Sequence, residues 1–444
     1  MSPTALLQSP IVPTIARLAA PNLIAMFFML ATSAAEVWYV GQLGMQPLAG
    51  LALAFPMFML MTMLSAGAMG GAVAGAVAQA LGAGDRGLAE ALAVHAILIA
   101  VTVGGLFAAL FLGMGEQIYS LLGGKGDVLH QALEYSDLVF AGCISIWLIN
   151  FLTSITRGCG HMRLSALTLI MVSAMQVGFG ALLIIGAGPV EPMGIAGAGL
   201  AIVLSASLGS LFLLFWLISG RASIRLHVSG IPISLAHFKH LLKTGLLASG
   251  SPLTSVAAAL VITALVARLG PEVLAGYGIG VRLEFLLIPV AFGIGAALIT
   301  MVGVHFGAGQ FDRGHRVAWI GGAGSAVITG GIGLFMAAFP DLWANRFTDI
   351  EAVREACRLY LRIVGPSYAF FGLGLSLYFA SQGARRLFWP VAAGFIRFGV
   401  VALGGALIVW FHTPTEYTVF AVVAIGMFVY GTTIATSIRM GAWR

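Results

Sequence analysis

Long stretches of apolar residues follow one another along this chain, with short polar segments between them. A helix of about 20 apolar residues crosses the ~30 Å hydrocarbon core of a bilayer, so each stretch predicts one membrane-spanning helix. The predicted spans are 15–40, 47–79, 89–113, 134–156, 163–187, 194–219, 244–268, 274–306, 316–339, 358–381, 387–411 and 417–438. The pattern therefore predicts an all-α membrane protein with twelve transmembrane helices.

The second half of the chain repeats features of the first. Leu-Gly-x3-Leu-Ala-Gly occurs at 43–50 and at 269–276, an offset of 226, and Gly-Ala-Gly closes the following apolar run at 82–84 and at 307–309. A third echo pairs Thr-Arg-Gly at 156–158 with Ser-Gln-Gly at 381–383, an offset of 225. The chain is therefore a duplication, and its function is expected between two similar halves.

The spacing of the repeat predicts how the halves are related. Six predicted spans separate the two copies, and an even number returns the chain to the same side of the membrane, so the halves are parallel repeats about a pseudo-two-fold axis along the membrane normal. We expect two six-helix bundles: an N-lobe over 1–219 and a C-lobe over 244–444. Residues 220–243 are predicted to form a cytoplasmic inter-lobe linker, in which Pro232-x-Ser234 is typical of a helix start.

Composition places the chain in a bilayer. The sequence is 60% hydrophobic and 9% charged, with a mean hydropathy of +1.02, whereas soluble domains carry about 25% charged residues. The net charge of +6 does not indicate nucleic-acid binding, because the cations are spread thinly between apolar runs. We expect the protein to be a monomer that is embedded in the lipid bilayer.

The cations predict the orientation of the chain. With the N-terminus inside, fourteen of the 22 Lys and Arg residues lie on the cytoplasmic side and six on the opposite side, the other two being Arg282 and Arg397 within spans. Cytoplasmic loops carry an excess of Lys and Arg. We therefore predict a multi-pass protein of the inner membrane with both termini in the cytoplasm.

Charged residues within spans cost roughly 2.5–3.5 kcal/mol each on insertion scales and need a physical reason. Glu36 is the first of them, and on a helix it shares one sector with Asn22, Thr32 and Ser33. In a water-accessible cavity of the N-lobe, Glu36 could bind and release a proton, which is what proton coupling requires. The alternative is that Trp38 and Tyr39 mark the outer interface and that Glu36 is an ordinary solvated acid at headgroup level.

Pro21 lies fifteen residues before Glu36 on the same predicted helix. A proline inside a helix frees a carbonyl group and permits a bend, so protonation of Glu36 could be coupled to bending at Pro21. The alternative is a fixed kink that serves packing alone.

Two further groups of polar residues lie inside predicted spans. Glu284 and Arg397 are both expected near mid-membrane in the C-lobe, as a structural ion pair or as a second coupling or substrate-orienting site. Arg282 is two residues from Glu284 and faces another way. Asn150 and Gln176 are candidates to complete the polar cavity of the N-lobe, or to form hydrogen bonds between helices.

Signatures of enzymes are missing from the sequence. There is no phosphate loop, no Gly-x-Ser-x-Gly motif, no metal-ligand spacing and no ATP-hydrolysing module. We predict no enzymatic activity, no cofactor and no metal site, and we expect any active transport to draw on an ion gradient.

Taken together, Pro21, the acid at position 36, the Leu-Gly-x3-Leu-Ala repeat and the two Gly-Ala-Gly segments resemble the multidrug and toxic compound extrusion (MATE) family over essentially the whole chain. The resemblance implies a V-shaped pair of bundles and cation-coupled export of amphipathic, often cationic, drugs. It also implies that Glu36 stands where family members use a first-helix aspartate for proton coupling.

The chain departs from the family pattern at three places. Gly180, Ser255 and Phe371 stand near the positions of family carboxylates in the fifth, seventh and tenth helices. These departures favour a DinF-like mechanism centred on the first lobe over the norfloxacin-exporter-like branch.

The sequence thus predicts a cation-coupled multidrug antiporter that exports hydrophobic or cationic small molecules by alternating access. A proton is the expected coupling cation, with sodium as the alternative. The rival interpretation is a flippase for a lipid or a lipid-linked saccharide. Such a flippase would be expected to line its cavity with several Arg or Lys residues, and only Arg282 and Arg397 are available.

Overall fold

The structure, a computed structural model, describes residues 3–186, 191–220, 223–226, 233–411 and 414–443. Within these ranges the chain forms seventeen α-helices and no strand. They are α1 Pro3–Gln8, α2 Ile11–Gly41, α3 Met45–Thr62, α4 Gly70–Gly82, α5 Arg86–Leu121, α6 Gly126–Ala141, α7 Cys143–Gly158, α8 Met162–Ile184, α9 Ile195–Ile218, α10 Leu235–Ala267, α11 Pro271–Gly307, α12 Phe311–Ala338, α13 Asp341–Ala344, α14 Glu351–Val364, α15 Tyr368–Ala384, α16 Phe388–Trp410 and α17 Glu416–Arg439. The π-helical stretch Met63–Met69 joins α3 to α4, and the 3-10 turn Gly365–Ser367 joins α14 to α15.

The predicted twelve spans and the all-α fold class are confirmed. In the described part of the chain, eleven helical segments are long and apolar enough to cross a membrane, and α6 with α7 forms a twelfth span that is bent by 53°. Gly142 lies at this bend, and a Cβ there would collide with the Val203 side chain of α9. A glycine at the bend therefore lets α9 pass close to the break.

The helices group into two compact units. The first comprises residues 1–6 and 20–245, and the second comprises residues 7–19 and 246–444. The first unit has an aromatic centre in which Phe111 stacks on Phe140 with ring centroids 3.8 Å apart, and the second has one in which Tyr360 meets Phe420 edge to face at 5.1 Å. Each unit thus has its own apolar core.

The units differ from the predicted lobes in where their leading helices belong. Residues 11–19 of α2 are grouped with the second unit and the rest of α2 with the first, so the helix passes from one unit to the other next to Pro21. Helix α10 begins at Leu235, inside the predicted linker 220–243, and its residues up to Gly245 are grouped with the first unit. Arg221 and Pro232 of the predicted linker lie outside the described residues.

Buried histidines hold the segments that precede both leading helices. In the first unit, Nδ1 of His95 lies 2.7 Å from the Ala91 carbonyl oxygen, so Nδ1 carries the proton and Nε2 accepts the N–H of Ser234 at 3.0 Å. In the second unit, Arg313 donates to His305 at 3.1 Å and to the Ser9 carbonyl oxygen at 2.7 Å. Ser9 and Ser234 are 225 positions apart, so these attachments lie within one residue of equivalent points of the repeat.

We expect His95→Phe to destabilise the protein. The phenyl ring keeps much of the volume but leaves the Ser234 N–H without its acceptor, at a cost of about 1–3 kcal/mol. The thermal unfolding temperature of the purified protein in detergent should fall by about 2–4 °C per kcal/mol. His130→Phe is the control, because His130 is exposed. Equal unfolding temperatures for the two variants would show that the His95 attachment contributes nothing.

Candidate functional site

Glu36 lies near the end of α2 and faces the interior of the first unit. With about 100° of rotation per helical residue, Thr32 and Tyr39 fall on the same side of Glu36, displaced by roughly 40–60°. All three residues line one small cavity together with Gln176 of α8. The helical period of α2 therefore places the carboxylate of Glu36 and the hydroxyl of Thr32 beside one space, and α8 adds the amide of Gln176.

The size of this cavity limits what it can hold. Its volume is about 10 Å³, close to the roughly 10–15 Å³ that one water molecule needs. Pockets for drug-sized ligands measure about 300–1,000 Å³. The cavity beside Glu36 therefore suits a water molecule or a small cation and is too small for a drug-sized ligand.

Tyr135 of α6 is the direct partner of Glu36. Its hydroxyl group donates a hydrogen bond of 3.0 Å to Oε1 of the carboxylate, and its ring is buried. Gly199 of α9 allows the close approach that holds Tyr135 in place, because a Cβ at Gly199 would lie 2.7 Å from the Tyr135 carbonyl oxygen. The carboxylate of Glu36 is thus fixed by a buried neutral donor rather than by a cation.

Gly180 lies in the same cavity and contributes no side chain to it. A Cβ at Gly180 would lie 3.3 Å from the Tyr39 ring, so the ring occupies the space in front of this glycine. Glu36 is the one carboxylate among the residues that line the cavity.

The structure places some of the predicted site residues around this cavity and not others. Thr32 and Gln176 line the cavity with Glu36, whereas Ser33, Asn22 and Asn150 do not. Ser33 is exposed because it falls about 60° to the other side of Glu36 on the helix. Asn22 shares that other side and lies about 21 Å further along the helix.

Both asparagines have other contacts. The amide of Asn22 donates to the sulfur atom of Met162 at 3.3 Å, and the amide of Asn150 donates to the Ser65 hydroxyl at 2.8 Å. Both are hydrogen bonds between helices, which was the alternative role for amides inside spans. The hydroxyl of Thr32 donates its hydrogen to the Phe28 carbonyl oxygen of its own helix at 2.8 Å, so towards the cavity it can only accept a hydrogen bond.

Tyr135 is the site residue that sequence reasoning missed. A signal for it existed in the repeat, because Tyr135 and Tyr360 are 225 positions apart. The periodicity of α2 alone could not reveal a partner on another helix.

In the second half, the predicted charged pair does not form an ion pair. Among the described residues no Arg nitrogen lies within 4.0 Å of the Glu284 carboxylate. The Tyr360 hydroxyl instead donates a hydrogen bond to Glu284, and the Arg397 guanidinium lies over the rings of Phe371 and Tyr430, at 5.7 and 5.8 Å from their centroids. The Arg397 guanidinium, which was expected to pair with Glu284, therefore contacts the rings of Phe371 and Tyr430 instead.

Arg282 lies away from this group, as its spacing predicted. Its side chain is exposed and its guanidinium lies 5.6 Å from the centroid of the Phe347 ring. Two residues along a helix correspond to a rotation of about 200°, which carries Arg282 to another face from Glu284.

For the cation-coupled transport that the sequence predicts, we expect Tyr135→Phe to slow transport without abolishing it. The substitution keeps the buried ring and removes the hydrogen bond to Glu36, which as a bond to a charged group contributes about 1.5–3 kcal/mol. A loss of about tenfold in the initial rate of efflux corresponds to about 1.4 kcal/mol, just below that range, so we expect a loss of at least about tenfold. The measurement is dye efflux from vesicles, with Tyr417→Phe, at an exposed tyrosine, as the matched control. A Tyr135→Phe rate equal to that of the control would show that the hydroxyl has no part in transport.

A comparison with protein families decides the identity of the chain. The profile of the family described as MatE matches residues 21–182 and 250–408, which is well over half of the sequence. The protein belongs to the MatE family. The two matched segments cover one half of the duplication each, as expected for this family's repeat.

Individual relatives of this MatE protein are distant but extend over most of its length. The probable multidrug resistance protein NorM of Thermotoga maritima is 24% identical over 388 residues, covering 87% of this chain and 82% of the relative. The FAD transporter of Shewanella oneidensis is 24% identical over 376 residues, covering 85% and 82%. A solved MOP superfamily transporter from Pyrococcus furiosus has the same fold, with a TM-score of 0.91, 23% identity, and coverage of 100% of this chain and 98% of that one.

These findings confirm that the chain is a multi-pass membrane transporter with the MATE fold, and they favour a transporter over an enzyme. The relatives do not separate the DinF-like branch from the norfloxacin-exporter-like branch, so the branch remains a prediction.

Proposed function

We propose that this MatE protein is a proton-coupled antiporter of the inner membrane that exports hydrophobic or cationic small molecules by alternating access. The observation that carries the proposal is the site of Glu36: a single carboxylate with a neutral donor, beside a cavity of about 10 Å³. One proton fits such a site without requiring a shell of oxygen ligands. The name of the Thermotoga maritima relative supports a multidrug substrate range.

Helix α2 connects this site to a bend. Pro21 cannot donate to the carbonyl group of Arg17, one turn earlier, so the helix is weakest at this point. Pro21 lies two residues after Ala19, where α2 passes from the second unit to the first. When Glu36 binds a proton, the change of charge alters how residues 20–41 are held, and a bend at Pro21 lets them move relative to residues 11–19.

The cycle that follows is an exchange of proton for drug. A proton from the outer side binds to Glu36 in the outward-open state. The contacts of residues 20–41 of α2 then change, the helix bends at Pro21, and the drug is released outward. Return to the inward-open state delivers the proton to the cytoplasm. The distribution of Lys and Arg supports a cytoplasmic location for both termini.

The chemical class of the substrate needs its own test, because the Shewanella oneidensis relative is an FAD transporter and FAD is anionic. Purified protein in lipid vesicles should export ethidium, a hydrophobic cation, under an imposed pH gradient. Export of FAD in place of ethidium would contradict the proposed substrate class.

The same vesicles separate the antiporter from the flippase. A fluorescent phospholipid in the inner leaflet should stay protected from a membrane-impermeant reductant outside. Loss of that protection together with absent ethidium export would favour the flippase, which no relative named here supports.

A further inference from the structure

The strongest unassigned feature of the molecule is the acid of the second half. Tyr360 is the repeat equivalent of Tyr135, 225 positions later, and both tyrosines are buried. Tyr135 donates to Glu36 in the first unit and Tyr360 donates to Glu284 in the second. The same tyrosine of the repeat therefore holds one carboxylate in each half.

The two acids do not occupy equivalent positions. Glu36 lies on α2, the leading helix of its half, whereas Glu284 lies on α11, the next long helix of the other half. At the repeat offset of 226, Glu36 corresponds to Ile262 and Glu284 to Phe58. Each half thus places an acid beside this tyrosine, but from a different helix of the repeat. A single helix contact inherited from the duplication would have kept the acid on the same helix in both halves.

The surroundings of Glu284 allow its charge to change. Besides Tyr360 of α14, the groups that interact with it electrostatically are Tyr277 of its own helix, Tyr368 of α15 and Arg397 of α16, and Tyr430 of α17 faces Arg397. All four tyrosines are buried. Arg397 is the one cation in this set.

Arg397 does not depend on Glu284 for its place. Its guanidinium lies over the faces of Phe371 and Tyr430, and such contacts contribute about 0.5–2 kcal/mol each. Its Nε has no hydrogen-bond partner among the described residues. Removing one partner of a direct buried ion pair would leave an uncompensated charge at a cost of about 3–5 kcal/mol, but here the cation is already held by rings.

We propose that Glu284, held by the Tyr360 hydroxyl, is a second proton-binding group of the transport cycle, so that two protons enter for each substrate exported. In the step, a proton from the outer water adds to a carboxylate oxygen of Glu284 and later leaves to the cytoplasm, while Tyr360 keeps its own proton. The stoichiometry rests on the proposed function, whereas proton binding at Glu284 can be tested without transport.

Proton binding is measured by infrared spectroscopy of the purified protein in detergent, titrated between about pH 5 and about pH 9, a range above the ordinary pKa of a glutamate. A protonated carboxyl group has a C=O band that disappears when the proton leaves. We expect Glu284→Gln to lose one pH-dependent band and Glu36→Gln to lose another. Glu272→Gln is the matched control, because Glu272 is exposed at the first turn of the same helix α11, and its spectrum should equal that of the unmodified protein.

Tyr360→Phe keeps the acid and covers the case in which Glu284→Gln does not fold. Loss of the hydroxyl donor should shift the Glu284 band to higher frequency, and an unshifted band would overturn the proposal. A Glu284→Gln spectrum identical to that of the Glu272→Gln control would overturn it equally.

The stoichiometry is measured as the ethidium gradient that a fixed pH gradient holds at equilibrium, with the membrane potential clamped at zero. A tenfold proton gradient holds about a hundredfold substrate gradient with two protons and about a tenfold gradient with one, each factor of ten being about 1.4 kcal/mol. We expect the first value for the unmodified protein and the second for Glu284→Gln. A hundredfold gradient in Glu284→Gln would overturn the proposal that Glu284 carries a second proton. Normal transport by Glu36→Gln would overturn the proposed function, but it would not affect the conclusion drawn from the infrared band of Glu284.

Discussion

Replacing Glu36 with glutamine is expected to reduce ethidium efflux driven by a pH gradient to the level of protein-free vesicles. Glutamine has nearly the volume of glutamate and accepts a hydrogen bond from Tyr135 through its amide oxygen, so the 3.0 Å contact can persist. It cannot bind and release a proton. Because Glu36 is the one carboxylate among the residues that line its cavity, no neighbour there can take over the exchange.

Two variants serve as controls for this result. Glu36→Asp keeps the carboxylate and shortens its reach, and we expect it to transport more slowly but still in response to the pH gradient. Glu116→Gln makes the same chemical change at an exposed position of α5 and should transport normally. Normal efflux by Glu36→Gln, in protein that unfolds at the temperature of the Glu116→Gln variant, would remove Glu36 from the mechanism.

Replacing Gly333 with alanine is expected to cause the largest loss of stability. Gly333 of α12 packs directly on the turn at Gly365, where a Cβ would collide with the Gly365 carbonyl group; conversely, a Cβ at Gly365 would lie 2.6 Å from the Gly333 carbonyl oxygen. Small residues allow this approach of two backbones inside a membrane protein. Because the opposing atoms are backbone, relief requires the elements to separate, and we expect at least the 1–3 kcal/mol of an overpacked core.

Gly331→Ala is the matched control for Gly333→Ala. Gly331 lies two residues away on the same helix, and a Cβ there meets no atom within 4 Å. Since glycine inside a helix is less stable than alanine by roughly 0.5–1 kcal/mol, this variant should unfold at the same temperature or slightly higher. Thermal unfolding in detergent compares the two variants. Equal unfolding temperatures would show that the backbone at Gly365 can move away from a Cβ at position 333 without a loss of stability.

The spans could be predicted from the sequence because hydrophobic length is a local property. The bilayer thickness sets about 20 apolar residues per crossing, and counting these stretches gives the even number of crossings between the two copies. The bend between Ala141 and Cys143 could not be predicted this way, because it depends on how closely Val203 of another helix approaches Gly142.

The candidate site could be predicted only in part, for the same reason. Helical periodicity placed Thr32 beside Glu36, but a sector about 100° wide also included Ser33, which lies on the other side of the carboxylate. Opposite charges at similar depth suggested that Glu284 binds Arg397, whereas the nearest donor is the Tyr360 hydroxyl. Partners on other helices depend on packing, which spacing along one helix does not determine.

The proposed mechanism requires a proton as the coupling ion, and transport by the purified protein in vesicles with separate gradients tests this most directly. A pH gradient without a sodium gradient should drive ethidium efflux, and this efflux should be absent in Glu36→Gln. A sodium gradient at equal pH on both sides should drive none. Efflux that follows the sodium gradient and ignores the pH gradient would contradict the proposed mechanism.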